Sequence, residues 1–223
     1  MADWTEPMSE EEHRQAVVDL LGMLALAELT AFERLAADAV LAPTLADKAA
    51  LGAMAVAEFG HYQVLHERLG SLGVDSTVAM APFAAALEAF HNSTTPSDWL
   101  ESLVKAYVGD GFAADFYREI AEFMDDETQL LVGDVLDDTG HAEFAVAHVR
   151  SAIESDPAVA GRLALWARRL VGEALVSAQR IAVDRDELAR LIVGAGDLRA
   201  VGELLARLTQ RHGERMESLG LQA

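Results

Sequence analysis

Apolar residues recur every three or four positions along most of this 223-residue chain, the spacing of helices with one face in a core. Ser9 with Glu12 forms a capping box ahead of the first such run. It predicts a helix over about 9–41, ending before Pro43 because the residue preceding a proline avoids helical geometry. Thr44 with Asp47 opens a second helix, to about Gly70 or Gly73. A shorter one is predicted over about 76–91, interrupted or started at Pro82. Asn92 to Pro96 reads as a loop, with Thr95 as the cap and Pro96 as the first residue of a helix reaching about Phe123. After a turn at Met124–Glu127 the pattern predicts helices over about 126–154 and, from Asp156-Pro157, to about Val183. A short helix over 185–193 and a last one over 197–218 are separated by Gly194 and Gly196. The chain carries no hairpin signal and no repeat of solenoid period. The expected fold class is therefore all-α, in one domain spanning 1–223.

Composition sharpens this picture. Half the residues are apolar, only 5 are proline and none is cysteine, which favours helices and excludes disulfides and thiolate metal sites. No basic segment followed by an apolar run marks a leader. The longest unbroken apolar stretch, Leu20 to Ala27, is too short to span a bilayer. A soluble cytoplasmic protein is expected, with no membrane partner. The net charge of −20 disfavours simple electrostatic binding of nucleic acid. That charge is uneven: residues 1–156 hold 7 Lys+Arg against 29 Asp+Glu, whereas residues 157–223 hold 10 against 8.

The candidate chemistry sits at Glu58-Phe59-Gly60-His61. A carboxylate and an imidazole three residues apart share one helix face, here flanked by Leu51, Met54, Ala55, Tyr62 and Leu65. An isolated charge on such a face is costly, so it needs a partner. Two long helices joined by a short turn lie antiparallel, so residues equidistant from the turn sit at one height. Glu58 and Glu28 lie equally far from Pro43, roughly 22 Å along the helix axes. Around Met124 the same relation holds for Asp110 and Asp138, with His141 three residues further on. Both predicted hairpins thus repeat carboxylate, turn, carboxylate-x-x-His. Packed together they bring four carboxylates and two imidazoles into an apolar bundle. Two divalent cations would balance the four negative charges, and this oxygen and nitrogen donor set suits iron or manganese.

Glu28, Glu58-x-x-His61, Asp110 and Asp138-x-x-His141 resemble the dinuclear carboxylate motif of the ferritin-like superfamily, over roughly residues 9–154. The resemblance implies a ferritin-like four-helix bundle of two antiparallel hairpins, with residues 157–221 packed on it as additional helices. It implies two iron ions (or manganese) held by Glu28, Glu58, His61, Asp110, Asp138 and His141. Stretches such as Tyr107-Val108-Gly109-Asp110-Gly111 and Asp138-Thr139-Gly140-His141-Ala142-Glu143-Phe144 are similar to a bacterial group described as like the tRNA-(methylthio-isopentenyl-adenosine) hydroxylase. Two departures matter. Asp110 and Asp138 stand where the superfamily has Glu, one methylene longer. The Asp that often precedes the second acid and orients a ligand histidine is matched by Asp137, but Ala57 holds that place in the first hairpin. Asp137 is also the rival ligand if Asp138 points away.

The functions these residues support are an O2-activating di-iron hydroxylase or oxidase and, alternatively, a non-catalytic helical protein with a degenerate or empty metal site. Expected partners are O2, an organic substrate of open identity and a second copy of the chain as a homodimer. For a modified tRNA base, Arg162, Arg168, Arg169, Arg180 and Arg185 offer the phosphate contacts. Tyr62, Tyr107 and Tyr117 lie near the proposed site, where they either pack or do redox work. Asp134 and His148 either line an access path or form a polar seam. Gly109 and Gly111, costly inside a helix, leave room either for a small molecule or for close helix packing.

Overall fold

The computed structural model describes residues 8–137, 141–185, 188, 190 and 198–222, and among them it is helical without a strand. The helices are α1 (Glu10–Asp38), α2 (Leu45–Ser71), α3 (Ser76–Met80), α4 (Ala84–Ser93), α5 (Trp99–Val104), α6 (Gly111–Ala121), α7 (Asp126–Val135), α8 (His141–Ser155), α9 (Ala158–Asp184) and α10 (Leu198–Ser218). The starts of the first two helices follow from side-chain caps. Ser9 Oγ accepts from the Glu12 amide while Glu12 Oε2 accepts from the Ser9 amide at 2.7 Å, and Thr44 Oγ1 accepts from the Asp47 amide at 3.1 Å. The end of α2 uses Gly73 at φ +74°, where the Val74 amide reaches back to the Leu69 carbonyl at 3.0 Å. A residue without Cβ is favoured at that left-handed position.

Three expectations are corrected. The helix expected from Thr95 begins at Trp99. Asp98 is its cap, accepting from the Glu101 amide at 2.9 Å, because Asp is free to turn back on the chain where Pro96 has broken it. The helix to Phe123 is not uniform: Lys105–Asp110 forms a π-helical turn between α5 and α6. The helix expected over 126–154 breaks after Val135, Leu136 and Asp137 leave helical geometry, and α8 begins at His141. The helix expected over 185–193 lies mostly outside the described residues.

The bundle buries apolar side chains in two main clusters, one at each end. Leu20, Leu21, Leu24, Leu65, Leu69 and Ile120 lie in one, and Leu51, Val104, Val149, Leu163 and Leu170 in the other. Each fully buried Leu contributes roughly 1.5–3 kcal/mol. By length and hydropathy the segment Glu10–Leu41 could cross a membrane, but 61% of its apolar window is buried inside the molecule. It is the central core helix. Gly22 lets α3 approach α1, since a Cβ there would stand 2.5 Å from the Ala79 carbonyl oxygen. The level between the two clusters is where α1, α2, the π turn and α8 bring their polar residues.

Candidate metal centre

Glu28 is a buried acid in the middle of α1. His61 Nδ1 on α2 stands 3.3 Å from Glu28 Oε2 and 3.5 Å from Glu58 Oε2. Across the bundle, His141 Nδ1 at the start of α8 stands 3.3 Å from Glu58 Oε1. The two oxygens of Glu58 thus each face a different imidazole. One donor atom from each of Glu28, Glu58 and His61 lies within 4.8 Å of the others. These imidazole–carboxylate separations exceed the usual hydrogen-bond length of about 2.9–3.0 Å. Ligands about 2.1 Å from a common ion stand roughly 3–4 Å apart, so the residues present fit a divalent cation. The Nε2 atom of His141 is buried and has no hydrogen-bond partner among the described residues.

These groups wall a cavity of about 260 Å³, which Asp110, Tyr107, Tyr117 and Asp137 also line. Asp110 enters from the end of the π turn. It is enclosed by protein but presents its surface to the cavity. Burial and Glu58 push its carboxyl up to about 8, against the attraction of Lys105. Burial likewise raises Glu28, which gains the proton it shares with Glu58. Burial opposes ionisation of Glu58 too, but its bonds to His61 and Glu28 and the nearby His141 outweigh that and hold it below the ordinary range. Glu28 and Glu58 raise His61 to about 10. Taken together, a metal-free cluster stores protons on Glu28 and His61 and keeps Glu58 ionised. The Tyr117 hydroxyl is pushed up by burial, with Glu28 and Asp110 adding to it, and so stays neutral.

The structure therefore brings Glu28, Glu58, His61, Asp110 and His141 to one cavity. Asp138 lies outside the described residues. Asp137, adjacent to it, is exposed at the cavity edge. Tyr62 is placed elsewhere: its ring packs 5.6 Å from Phe59 and 6.0 Å from His66, off the cavity wall. His148 bonds to Asp47 at 2.9 Å and stacks on Phe144, making a polar seam rather than an access path. Asp134 is exposed. Gly111 serves close packing, since a Cβ there would meet Arg215 Nε at 2.5 Å. Gly109 has only ordinary contacts, at 3.9 Å, with Lys105 and Phe90.

The arginines expected to touch phosphate are largely engaged inside the chain. Arg162 pairs with Asp98 at 2.8 Å and Glu101 at 2.5 Å. Arg169 donates to the Ser93 carbonyl at 2.6 Å, and Arg185 lies 3.9 Å from Asp19. Arg168 and Arg180 remain exposed. Sequence reasoning missed Arg118 and Arg215 on the cavity wall. The 100-residue separation between Arg215 and its partner Asp115 gives no local signal. It also missed a second cavity, of about 390 Å³ and mostly apolar, which shares Ala27, Ala31, Ala106, Asp110, Ala113 and Tyr117 with the first.

Comparison with known proteins agrees with this architecture. A solved structure, "Protein 19 with aldehyde deformylating oxidase activity from Synechococcus", superposes with a TM-score of 0.72 over 100% of this chain and 95% of its own, at 20% identity. No curated protein matches the sequence. The family described as "Ferritin-like domain, actinomycetes" matches residues 11–195. The chain belongs to that ferritin-like family.

Proposed function

We propose that this protein is a dinuclear non-haem iron oxidase or hydroxylase acting on an apolar organic substrate. The carrying observation is the Glu28–Glu58–His61 cluster, with His141 on the second Glu58 oxygen, opening onto a cavity that abuts a larger apolar one. The fold shared with a protein that has aldehyde deformylating oxidase activity supports the reading.

Glu28, Glu58, His61, Asp110 and His141 would hold the metal, with Asp138 the sequence-based candidate to complete the set. Bound iron would supply the redox chemistry that activates O2 for attack on a C–H bond. The chain's own part is positioning and exclusion of water. Ala27, Ala31, Ala106 and Ala113 separate the two cavities with side chains no larger than a methyl, so a substrate carbon can lie against the donor cluster. Tyr117 offers a neutral hydroxyl there, and Glu28 holds a proton beside Glu58 that a bound cation displaces.

Elemental analysis after anaerobic Fe(II) loading tests the reading. About two iron ions per chain are expected, and Glu58→Ala should abolish loading because its two oxygens serve both halves of the site. Iron below about a tenth of an ion per chain would instead leave a helical protein with an empty site.

A further inference from the structure

The 390 Å³ cavity is apolar along most of its length but has one polar end. Its wall follows α1 from Met23 to Asp38, roughly 22 Å at 1.5 Å per residue. Arg34, Asp38, His91 and Lys105 line one end, and Met23 and Phe116 line the wall beyond the donor cluster. Helix register fixes this polarity. Arg34 follows Glu28 by six residues and Lys105 precedes Asp110 by five, so on antiparallel helices both fall on one side of the donor cluster. Met23 precedes Glu28 by five and Phe116 follows Asp110 by six, so both fall on the other side.

The polar end has unspent capacity for an anion. Lys105 is 6% exposed. Its ammonium donates to the Thr94 carbonyl at 2.8 Å and sits 5.7 Å from the Phe90 ring centre, which leaves two of its three donors without a hydrogen-bond acceptor among the described residues. The Nδ1 atom of His91 is buried and has no hydrogen-bond partner among the described residues. Arg34 has no carboxylate within 4.0 Å among the described residues. The acids facing this end are Asp38 and Asp110, both within electrostatic range of Lys105. Asp110 belongs to the metal cluster in the proposed function. That leaves Arg34 and Lys105 against Asp38, an excess of one positive charge.

We propose that this cavity binds a single-chain amphiphile with a carboxylate head, the head held by Arg34, His91 and Lys105 and the tail running past the donor cluster toward Met23 and Phe116. Asp110, which lines both cavities, then faces interior methylenes, roughly 8 Å along the helix from Lys105 at the head. This placement of the chain beside the metal rests on the proposed function; the binding itself does not. It differs from a substrate whose polar head sits on the metal.

Binding to the metal-free full-length chain tests this, with displacement of a fluorescent fatty acid as readout. Palmitate should compete at least tenfold better than hexadecanol or hexadecanal, the usual scale for a hydrogen bond to a charged group. Affinity should rise about fourfold per added methylene from laurate to palmitate. Lys105→Met should erase the preference for the carboxylate. Should burial make that variant unstable, Arg34→Gln at the exposed arginine should reduce the preference at least threefold. Palmitate binding by a chain that loads no iron would uphold this proposal and sink the metal reading, and iron loading without palmitate binding would do the reverse, so the two fail separately. Palmitate with a terminal photoreactive group should label residues near Met23 and Phe116. Equal binding of acid, alcohol and aldehyde would overturn the head-group assignment. Labelling near Asp38 or Phe90 would overturn the orientation, and absence of binding by all three would overturn the whole. Hexadecyl phosphate binding tightly while palmitate does not would replace the carboxylate by a phosphate.

Discussion

Glu28 and His61 show how a metal site is prepared by protons. Burial favours the neutral acid of Glu28 and raises its pKa to about 9, while two carboxylates raise His61 to about 10. Both groups therefore carry protons at neutral pH, and a divalent cation must expel them. Apparent metal affinity should rise steadily with pH up to about 9, with proton release seen as buffer-dependent heat in calorimetry. Affinity independent of pH between about 6 and 9 would contradict this. Stability of the metal-free chain runs the other way. Because the folded pKa of Glu28 lies above its ordinary 4.5, its contribution is complete below that value and is lost as pH climbs through about 9. Glu28→Gln should abolish metal binding yet stabilise the metal-free protein at pH 8 by about 1–3 kcal/mol in urea unfolding. The approach of Glu28 to Glu58 was legible in the sequence because both hang from one short turn, and counting from Pro43 places them at one height. Tyr62 was not, because one position on a helix decides between the cavity and the Phe59–His66 stack.

The π turn Lys105–Asp110 is the element that counting could not reveal. Six residues are too few for a change of helical period to show in an apolar pattern, and their mix of Ala, Tyr, Val and Gly suits either period. Such single turns recur at functional sites. Here the turn ends on Asp110 and hands over to Gly111, whose missing side chain admits Arg215 from α10. Gly111→Ala sets two effects against each other. Alanine gains about 1 kcal/mol of helix propensity, but its Cβ displaces the Arg215 guanidinium from the buried Asp115. In the wild-type background the substitution should destabilise by about 1–3 kcal/mol. Made on Arg215→Ala it should stabilise by about 1 kcal/mol. Unfolding of the single and double variants measures the coupling, and additive effects would show that Gly111 is not there for Arg215.

At the scale of the whole molecule, the C-terminal third explains the uneven charge. Three arginines of α10 reach onto acids of α6. Arg207 donates to both oxygens of Glu119 at 3.0 and 2.9 Å, Arg211 lies 3.2 Å from the same acid, and Arg215 pairs with Asp115. The spacing of four on α10 meets the spacing of four on α6. The sequence displayed both periods but not their pairing, since nothing local links positions about a hundred residues apart. This ladder seats Leu204 and Leu208 against Phe112, and the two leucines form part of the wall of the apolar cavity. Glu119 is 3% exposed, so Glu119→Gln removes the charge that two arginines share and leaves them poorly compensated. Arg207 and Arg211 are 47% and 39% exposed, so water compensates them in part and the cost stays well below that of breaking a fully buried pair. The loss should fall on α10 first, because the α1–α2 hairpin and its donors do not depend on it. Hydrogen exchange should therefore accelerate in residues 202–218 while α1 and α2 stay protected, and metal loading should persist. Uniform acceleration across the chain would mean that α10 and the bundle unfold as one unit, and the apolar cavity could then not open without loss of the metal site.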